Sequence, residues 1–559
     1  MRFALAAIAL LALPLAASAA SPISADGAKA DLVIWGGPIY TAVDAHPTAQ
    51  AVAVRGGRIV YVGARAGAQA EVGPNTQVID LHGSALFPGF TDCHAHLREI
   101  GERELTLNLE GSTSAAEVSR RLAAWIAEHH PAGTIFGMGW HEAGWPEHRF
   151  LERGDLDAVS PDQPVILQRA DGHALVANSA ALRAAGVDAS TPAPPGGQIL
   201  KGADGQPTGM LVDNAKGLVA RLLPAPSEAR KLEAYRAAFK VETAYGWTGV
   251  HFMSVDAADV PLLEAMDRQG EAPLRVYNAV TADQAGALMA AGPRATPDGR
   301  ITTRAIKLFM DGALGSRGAA LFADYADSPG AKGAFVTPPD HMRPILAKAL
   351  ASGFQVSTHA IGDRGNAEAL SLYEQAFKAN PAAGAAARWR IEHAQILRPA
   401  DIPRFHADHV IASMQPSHAI GDLHWAGARL GAARLNGAYA WKSLLRSGAV
   451  VVGGSDAPVE RGAPLIEFYA AVARKDLNGV SGPDWRPEEA LSRPEALKLF
   501  TASAAYARFA ENDLGVIAVG KRADLSAFSV DLMKAPVAEI PKGHAVLTVV
   551  DGQIVYRAG

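Results

Sequence analysis

The chain has 559 residues, of which 49% are hydrophobic and 19% charged, and its formal net charge is -5. This length exceeds the usual size of one core and the composition is that of a globular enzyme, so we expect a large domain with a satellite or an insertion and little disorder. No run of Lys and Arg is present, which argues against nucleic acid or an anionic membrane as a partner.

The first twenty residues are typical of an export signal. Met1-Arg2-Phe3 carries one positive charge, an Ala/Leu/Ile run follows, and Ala17-Ser18-Ala19 gives a small-residue exit. The apolar run is shorter than the ~20 residues that a membrane span needs, so we expect cleavage of residues 1–20 rather than a retained anchor. The sequence therefore predicts a periplasmic or secreted protein without a stable membrane span.

Both ends of the remaining chain show β patterns. Short apolar runs occur at 32–35, 51–54, 58–63 and 77–81, with glycine pairs as turns, and again at 523–528, 545–550 and 553–556. Asp551-Gly552 is a tight hairpin turn between the last two runs. We expect residues 21–86 and 510–559 to form one small β-sandwich domain that encloses the middle of the chain.

Residues 87–509 alternate apolar runs with helix-like segments, which indicates a parallel sheet or barrel. The candidate strands are 85–92, 247–252, 273–280, 303–309, 354–358, 388–392, 410–414 and 449–454. We predict an α/β fold with a (β/α)8 TIM-like barrel, whose chemistry would lie at the C-terminal ends of the strands. The long interval at 100–245 predicts a large insertion after strand 1 that covers the barrel mouth as a lid or substrate domain.

Two histidines end the first barrel strand. Because side chains alternate along a strand, His94 and His96 share one face while Cys93 takes the other. Two imidazoles are half of a metal site, and zinc needs further ligands from elsewhere in the fold. Polar residues with that chemistry end strands five, six and eight: His359, His393 and Asp456. Taken singly, each histidine could be a hydrogen-bonded core residue, and Asp456 could cap a helix.

Lys307 lies inside the apolar fourth strand, where an unpaired ammonium would be costly. Two explanations are open. The lysine could pair with a buried acid, or it could react with carbon dioxide to give N6-carboxylysine, an anionic oxygen ligand that can bridge two metal ions.

Several sequence segments match known motifs: residues 307–317, 359–363, 390–395, 454–458 and, in the insertion, 171–179. Together they resemble the amidohydrolase superfamily, and within it amidohydrolase family 3, which includes N-substituted formamide deformylase. The resemblance covers nearly the whole mature chain. It implies one or two divalent metal ions, with zinc expected, and it implies the ligand set His94, His96, Lys307, His359, His393 and Asp456.

The resemblance also implies the chemistry. Zinc lowers the pKa of bound water from 15.7 towards ~7, and Asp456 would move the water's proton to the leaving group. Carboxylated Lys307 would support this centre. We therefore expect hydrolysis of a non-peptide carbon-nitrogen bond in a small-molecule amide or N-acyl compound. The alternatives are hydrolysis of esters, lactones or cyclic imides, and a non-catalytic barrel that binds small molecules.

Four further residues are candidate substrate contacts. His173 and Asn178 would hold the substrate carbonyl or satisfy a loop, and Arg317 would bind a carboxylate or fix its own loop. Trp140 would form an apolar wall of the site or pack inside the lid. The substrate itself and the oligomeric state are not encoded in any recognisable pattern, and a homo-oligomer stays open.

Overall fold

The computed structural model describes residues 29–142, 145–223, 225–482 and 485–559. The expected export signal, residues 1–20, lies outside these described residues. Within them, no helix combines the length and the apolar character that crossing a bilayer demands.

The described chain begins with strands of the terminal sheet: β1 (Leu32–Tyr40), β2 (Thr48–Arg55), β3 (Arg58–Gly63), helix α1 (Arg65–Ala70), β4 (Gln77–Asp80) and β5 (Ala85–Pro88). β1 pairs antiparallel with β2 and parallel with β4 and β5. Because side chains alternate across a strand, Leu32 and Ile34 of β1 face the same apolar core as Val52 and Val54 of β2.

The segment 85–92, expected as one strand, is two strands in two different sheets. β5 ends at Pro88, and β6 (Phe90–Ala95) opens the barrel. A Cβ at Gly89 would lie 2.3 Å from Thr248 Oγ1 and 2.9 Å from Asp524 Cβ, so the close crossing requires glycine. The chain therefore passes from one sheet to the other inside an unbroken apolar run.

The insertion follows β6 and forms its own six-stranded sheet in the order β11-β12-β10-β9-β8-β7. Two apolar clusters fill its interior. Its elements are α2 (Leu97–Leu105), β7 (Leu107–Asn108), α3 (Ala115–His129), β8 (Ile135–Trp140), α4 (Arg153–Asp157), β9 (Val165–Arg169), β10 (Ala174–Ala177), α5 (Ser179–Ala185), β11 (Gly197–Lys201), β12 (Pro207–Asp213), α6 (Gly217–Ala220) and α7 (Glu228–Tyr245).

The barrel is confirmed. Its further strands are β13 (Trp247–Val255), β14 (Arg275–Thr281), β16 (Ile301–Phe309), β17 (Gln355–Ala360), β18 (Arg390–His393), β19 (Ile411–Met414) and β20 (Val451–Gly453), with β15 (Arg294–Ala295) beside β16. Neighbouring barrel strands are parallel. The ring closes where Ala95 forms a parallel bridge with Ala457 and the Asp456 N–H donates to the His94 carbonyl at 2.6 Å.

Helices surround these strands: α8 (Val260–Arg268), α9 (Gly286–Ala291), α10 (Pro339–Ala351), α11 (Asp363–Ala379), α12 (Pro381–Ala387), α13 (Ile402–Ala407), α14 (Pro416–Asp422), α15 (Ala426–Leu430), α16 (Trp441–Arg446), α17 (Pro464–Ala473), α18 (Arg493–Phe500) and α19 (Ala502–Ala507). Their apolar faces and the strands share one large core. This packing holds the strand ends, and the polar residues on them, in fixed positions.

The chain ends with β21 (Leu525–Phe528), β22 (Ala545–Val550) and β23 (Gln553–Arg557), which join β5 of the terminal sheet. Hydrogen bonds link all these strands into one sheet, where two packed sheets were expected. A bridge between Arg58 and Arg522 brings β3 back to the C-terminal segment, so the sheet curls around a shared core. Arg275 of the barrel pairs with Asp524 at 2.6 Å and fixes the two bodies together.

Candidate active site

The barrel mouth opens into a cavity of about 800 Å³. His94, Lys307, His359, His393 and Asp456 line it from five different barrel strands or the loops that follow them. The inserted domain supplies the opposite wall through residues that include Met138, His141, Arg169, His173 and Lys216. A cavity of this size, lined by the barrel and by the insertion, suits a small-molecule ligand.

The carboxylate of Asp456 lies within 4.0 Å of four histidines at the barrel mouth. Its Oδ1 lies 3.1 Å from His96 Nε2 and 3.3 Å from His94 Nε2, and its Oδ2 lies 3.5 Å from His418 Nε2 and 4.0 Å from His393 Nδ1. The residue is 5% exposed and has a φ of +61°, which non-glycine residues rarely adopt. Such strain persists where the surrounding structure imposes it, as it does at functional sites.

Burial sets the protonation of these groups. It lowers the pKa of His94 to about 4 and holds the pKa values of His359 and His393 well below the usual range. Burial opposes ionisation of Asp456, yet the nearby imidazoles, with His94 first, hold its pKa well below the ordinary value. His94, His359 and His393 thus present neutral imidazole nitrogens beside the Asp456 carboxylate, and all of these groups offer lone pairs.

This donor set fits a divalent metal ion. One nitrogen each of His94 and His96 and one oxygen of Asp456 lie within 4.8 Å of one another. Asp456 Oδ1 is buried and accepts no hydrogen bond from the described residues. Imidazole and carboxylate ligands suit zinc among the common metals of hydrolases.

Behind His94 lies a buried ion pair that sequence reasoning missed. Glu392 Oε2 is 2.7 Å from His94 Nδ1, and Arg390 Nε is 2.8 Å from Glu392 Oε1, with both side chains of the pair 0% exposed. Burial would raise the pKa of Glu392, but Arg390 and the His94 hydrogen bond hold it below its usual range. A carboxylate on Nδ1 directs the other nitrogen, Nε2, towards the site. The alternation within β18 is the signal that could have placed Arg390 and Glu392 on the interior face.

Lys307 points into the same centre. Its Nζ lies 3.4 Å from His94 Nε2 and 5.1 Å from the centroid of the Phe309 ring, and the residue is 2% exposed. Burial lowers the pKa of Lys307 to about 8, which increases the fraction of neutral amine at physiological pH. The neutral amine is the form that reacts with carbon dioxide.

His359 and His173 face each other across the cavity. Their ring centroids are 5.0 Å apart, and the His359 ring is 4.5 Å from that of His393. His359 Nε2 is 3.4 Å from the Gly312 carbonyl oxygen, so its closest polar contact is with the backbone rather than with Asp456. His173 Nδ1 is 2.7 Å from Asp213 Oδ1, which fixes the orientation of this ring from the lid side.

Three expected substrate contacts lie away from the cavity. Trp140 is 0% exposed in the core of the insertion and donates from Nε1 to the Leu167 carbonyl. Asn178 is also buried and accepts from the Ala181 N–H at 2.8 Å as the cap of α5. Arg317 pairs with Asp327 at 2.9 Å outside the cavity. These three side chains serve local packing, helix capping and ion pairing. Each therefore has the structural role that was open as the alternative to substrate contact.

His418 was not singled out from the sequence, although it lines the cavity beside Asp456. It lies in α14, four residues beyond the end of β19. The seventh strand, β19, ends at Met414 without a histidine or a carboxylate, so alternation along the strand does not indicate His418. A histidine one turn beyond a barrel strand is the signal that could have identified it.

Comparison with known proteins agrees with this architecture. Residues 77–556 match the model of the amidohydrolase family. The putative amidohydrolase YtcJ of Bacillus subtilis (strain 168) is 35% identical over 531 residues, which cover 94% of this chain and 99% of that protein. N-substituted formamide deformylase of Arthrobacter pascens is 28% identical over 549 residues, with 94% and 98% of the two chains covered.

A crystal structure of an uncharacterized metal-dependent hydrolase from Pyrococcus horikoshii OT3 is similar over 90% of this chain and 99% of its own, with a TM-score of 0.73 and 26% identity. The family match begins at β4 and covers part of the terminal sheet together with the barrel and the insertion. The chain therefore belongs to the amidohydrolase family.

Proposed function

We propose that this protein is a zinc-dependent hydrolase that cleaves the carbon-nitrogen bond of a small-molecule amide or N-acyl compound. The observation that carries the proposal is the position of Asp456, a buried carboxylate within 3.5 Å of three imidazole nitrogens at the barrel mouth. The name of one relative, N-substituted formamide deformylase, supports the choice of bond.

His94, His96 and Asp456 would hold one metal ion, and Lys307, His359 and His393 lie close enough to complete the centre. A bound zinc ion supplies hydroxide at neutral pH and polarises a carbonyl group. The ligands fit because the lowered pKa values of His94, His359 and His393 favour their neutral form and the lowered pKa of Asp456 favours its carboxylate, as metal binding requires.

Asp456 would act as the general base and then as the general acid. It accepts a proton from the attacking water while the water oxygen bonds to the carbonyl carbon. It then donates that proton to the nitrogen as the carbon-nitrogen bond breaks, which leaves a carboxylic acid and an amine. His173, held by Asp213 on the lid side, would contact the substrate carbonyl across the cavity.

The insertion at 100–245 would act as the substrate domain, because His141, Arg169 and Lys216 bring its polar groups into the cavity.

We also propose that residues 1–20 direct export to the periplasm or the medium. Sequencing the N-terminus of the protein from the periplasmic fraction would test this. A start at Ala20 or Ser21 supports export, and retention of Met1 in the cytoplasm contradicts it.

The assay that tests the function uses pairs of N-acyl amides and esters with the same acyl group. Zinc-loaded protein should hydrolyse at least one amide, and removal of the metal by a chelator should abolish turnover until zinc is restored. Turnover of only the esters, lactones or cyclic imides would assign the alternative activity. Absence of turnover across the whole set with zinc bound would favour a binding protein.

A further inference from the structure

The residue that the proposed function leaves without a role is His418. It follows β19, a barrel strand that contributes no other group to the centre. The turn that carries it is fixed from behind, because the Ser417 N–H donates to the buried carboxylate of Glu467 at 3.0 Å. Its side chain is therefore held at the mouth and is only 9% exposed as a residue.

His418 and His393 form a matched pair beside Asp456. Their rings are nearly parallel, at 14°, with centroids 5.8 Å apart. His418 Nε2 is 3.5 Å and His393 Nδ1 is 4.0 Å from the same carboxylate oxygen, Asp456 Oδ2. Glu460 Oε1 lies 4.0 Å from His418 Nε2, which is too far for a hydrogen bond.

These two nitrogens lack hydrogen-bond partners among the described residues, although both are buried. Asp456 Oδ1 is in the same state. Buried polar atoms normally have partners, so two such nitrogens beside Asp456 Oδ2 and an unpartnered Oδ1 on the other side of the same carboxylate require an explanation. Imidazole nitrogens and carboxylate oxygens carry lone pairs, and a cation is the ligand that such atoms can share.

The spacing agrees with a metal ion. Ligand atoms held about 2.0–2.1 Å from a tetrahedral zinc ion lie about 3.3–3.4 Å apart. The distances from Asp456 Oδ1 to His94 and His96 are 3.3 and 3.1 Å, and those from Asp456 Oδ2 to His418 and His393 are slightly wider, at 3.5 and 4.0 Å. His393, His418 and Asp456 thus form a group of three like the one formed by His94, His96 and Asp456.

We propose that His418 is a metal ligand and that, with His393 and Asp456, it forms a second zinc site beside the group formed by His94, His96 and Asp456. The inference rests on the proposed function, since it requires metal at the barrel mouth. It adds a ligand from the seventh strand to the set that the sequence predicts from strands one, four, five, six and eight.

The test measures zinc content by mass spectrometry and zinc affinity by competition with a chromophoric chelator. His424 gives the matched control, because it lies six residues further along the chain, just beyond the end of α14, lines the same cavity and pairs with Asp476 instead. We expect two zinc ions per chain in the wild type and in His424→Asn. His418→Asn should keep one ion and bind the second at least about tenfold more weakly, since loss of a group that only supports a ligand already costs 10–100-fold.

A second variant gives a direct signature. A cysteine at this position, His418→Cys, should restore the second ion, and cobalt in place of zinc should then show a thiolate charge-transfer band. Wild-type affinity for both ions in His418→Asn, or absence of the band in His418→Cys, would overturn the inference. A wild type that binds one ion would overturn it and leave the proposed function intact, whereas a wild type that binds none would overturn both.

Discussion

Replacing Glu392 by glutamine tests whether the buried ion pair tunes the metal centre. The change keeps the size of the side chain but removes the charge that faces His94 Nδ1 at 2.7 Å and Arg390 at 2.8 Å. Loss of such a partner lowers metal affinity by roughly 10–100-fold, or about 1.4–2.7 kcal/mol. Leaving the buried Arg390 charge without a charged partner costs about 3–5 kcal/mol of folding free energy. Glutamine keeps one side-chain oxygen that can accept from Arg390, so we expect the loss in Glu392→Gln to lie near the lower end of this range.

Zinc affinity and the urea-induced unfolding of the metal-free protein measure the two effects separately. Glu511→Gln is the matched control, because Glu511 pairs with Arg388 at 2.7 Å but is 37% exposed. Removing an exposed pair should cost less than about 1 kcal/mol and should leave zinc affinity unchanged. If Glu392→Gln and Glu511→Gln had the same zinc affinity and the same free energy of unfolding, the assignment of Glu392 as the residue that orients His94 would be refuted.

Three further results are expected. Asn178→Ala should lower the free energy of unfolding by about 1–2 kcal/mol and leave KM unchanged, because Asn178 caps α5. Trp140→Phe should lower the melting temperature and leave KM unchanged, because the Trp140 Nε1–H donates to a backbone carbonyl inside the insertion. A raised KM in either variant would contradict these roles. Burial opposes ionisation of Asp524, but Arg275 holds the pKa of this carboxyl below its ordinary value. The ion pair therefore stabilises the folded protein above about pH 4, and this stabilisation is lost as the pH falls further. The difference in melting temperature between wild type and Asp524→Asn should shrink from pH 7 to pH 3, and a constant difference would contradict the ion pair. Zinc-loaded protein equilibrated with 13C-labelled bicarbonate should show a carbamate resonance that Lys307→Arg removes, whereas its absence from the wild type would leave Lys307 as an amine.

The barrel could be predicted because its strands are buried on both faces and read as apolar runs that end in polar residues. The expected run 303–309 corresponds to β16 (Ile301–Phe309), and 354–358 corresponds to β17 (Gln355–Ala360). The split at Gly89 could not be predicted, since its cause is contact with Thr248 and Asp524, far away in the sequence.

The site was predictable where the side chain stands on a strand. His94 and Lys307 lie within β6 and β16, so alternation alone sets the face they occupy. His418 stands on a helical turn and Asn178 at a helix cap, where direction depends on how the turn packs. The motif at 171–179 includes Asn178, and no motif includes His418, yet only His418 faces the cavity.

The most direct test of the central claim is the turnover of zinc-saturated Asp456→Asn on the best N-acyl amide. Asp363→Asn is the control, because Asp363 is a similarly buried carboxylate, 7% against 5% exposed, that binds backbone N–H groups outside the cavity. Loss of a general acid and base predicts a fall in kcat of at least about 10²–10⁴-fold for Asp456→Asn and little change for the control. A folded, zinc-loaded Asp456→Asn that hydrolyses the amide at the wild-type rate would contradict the account.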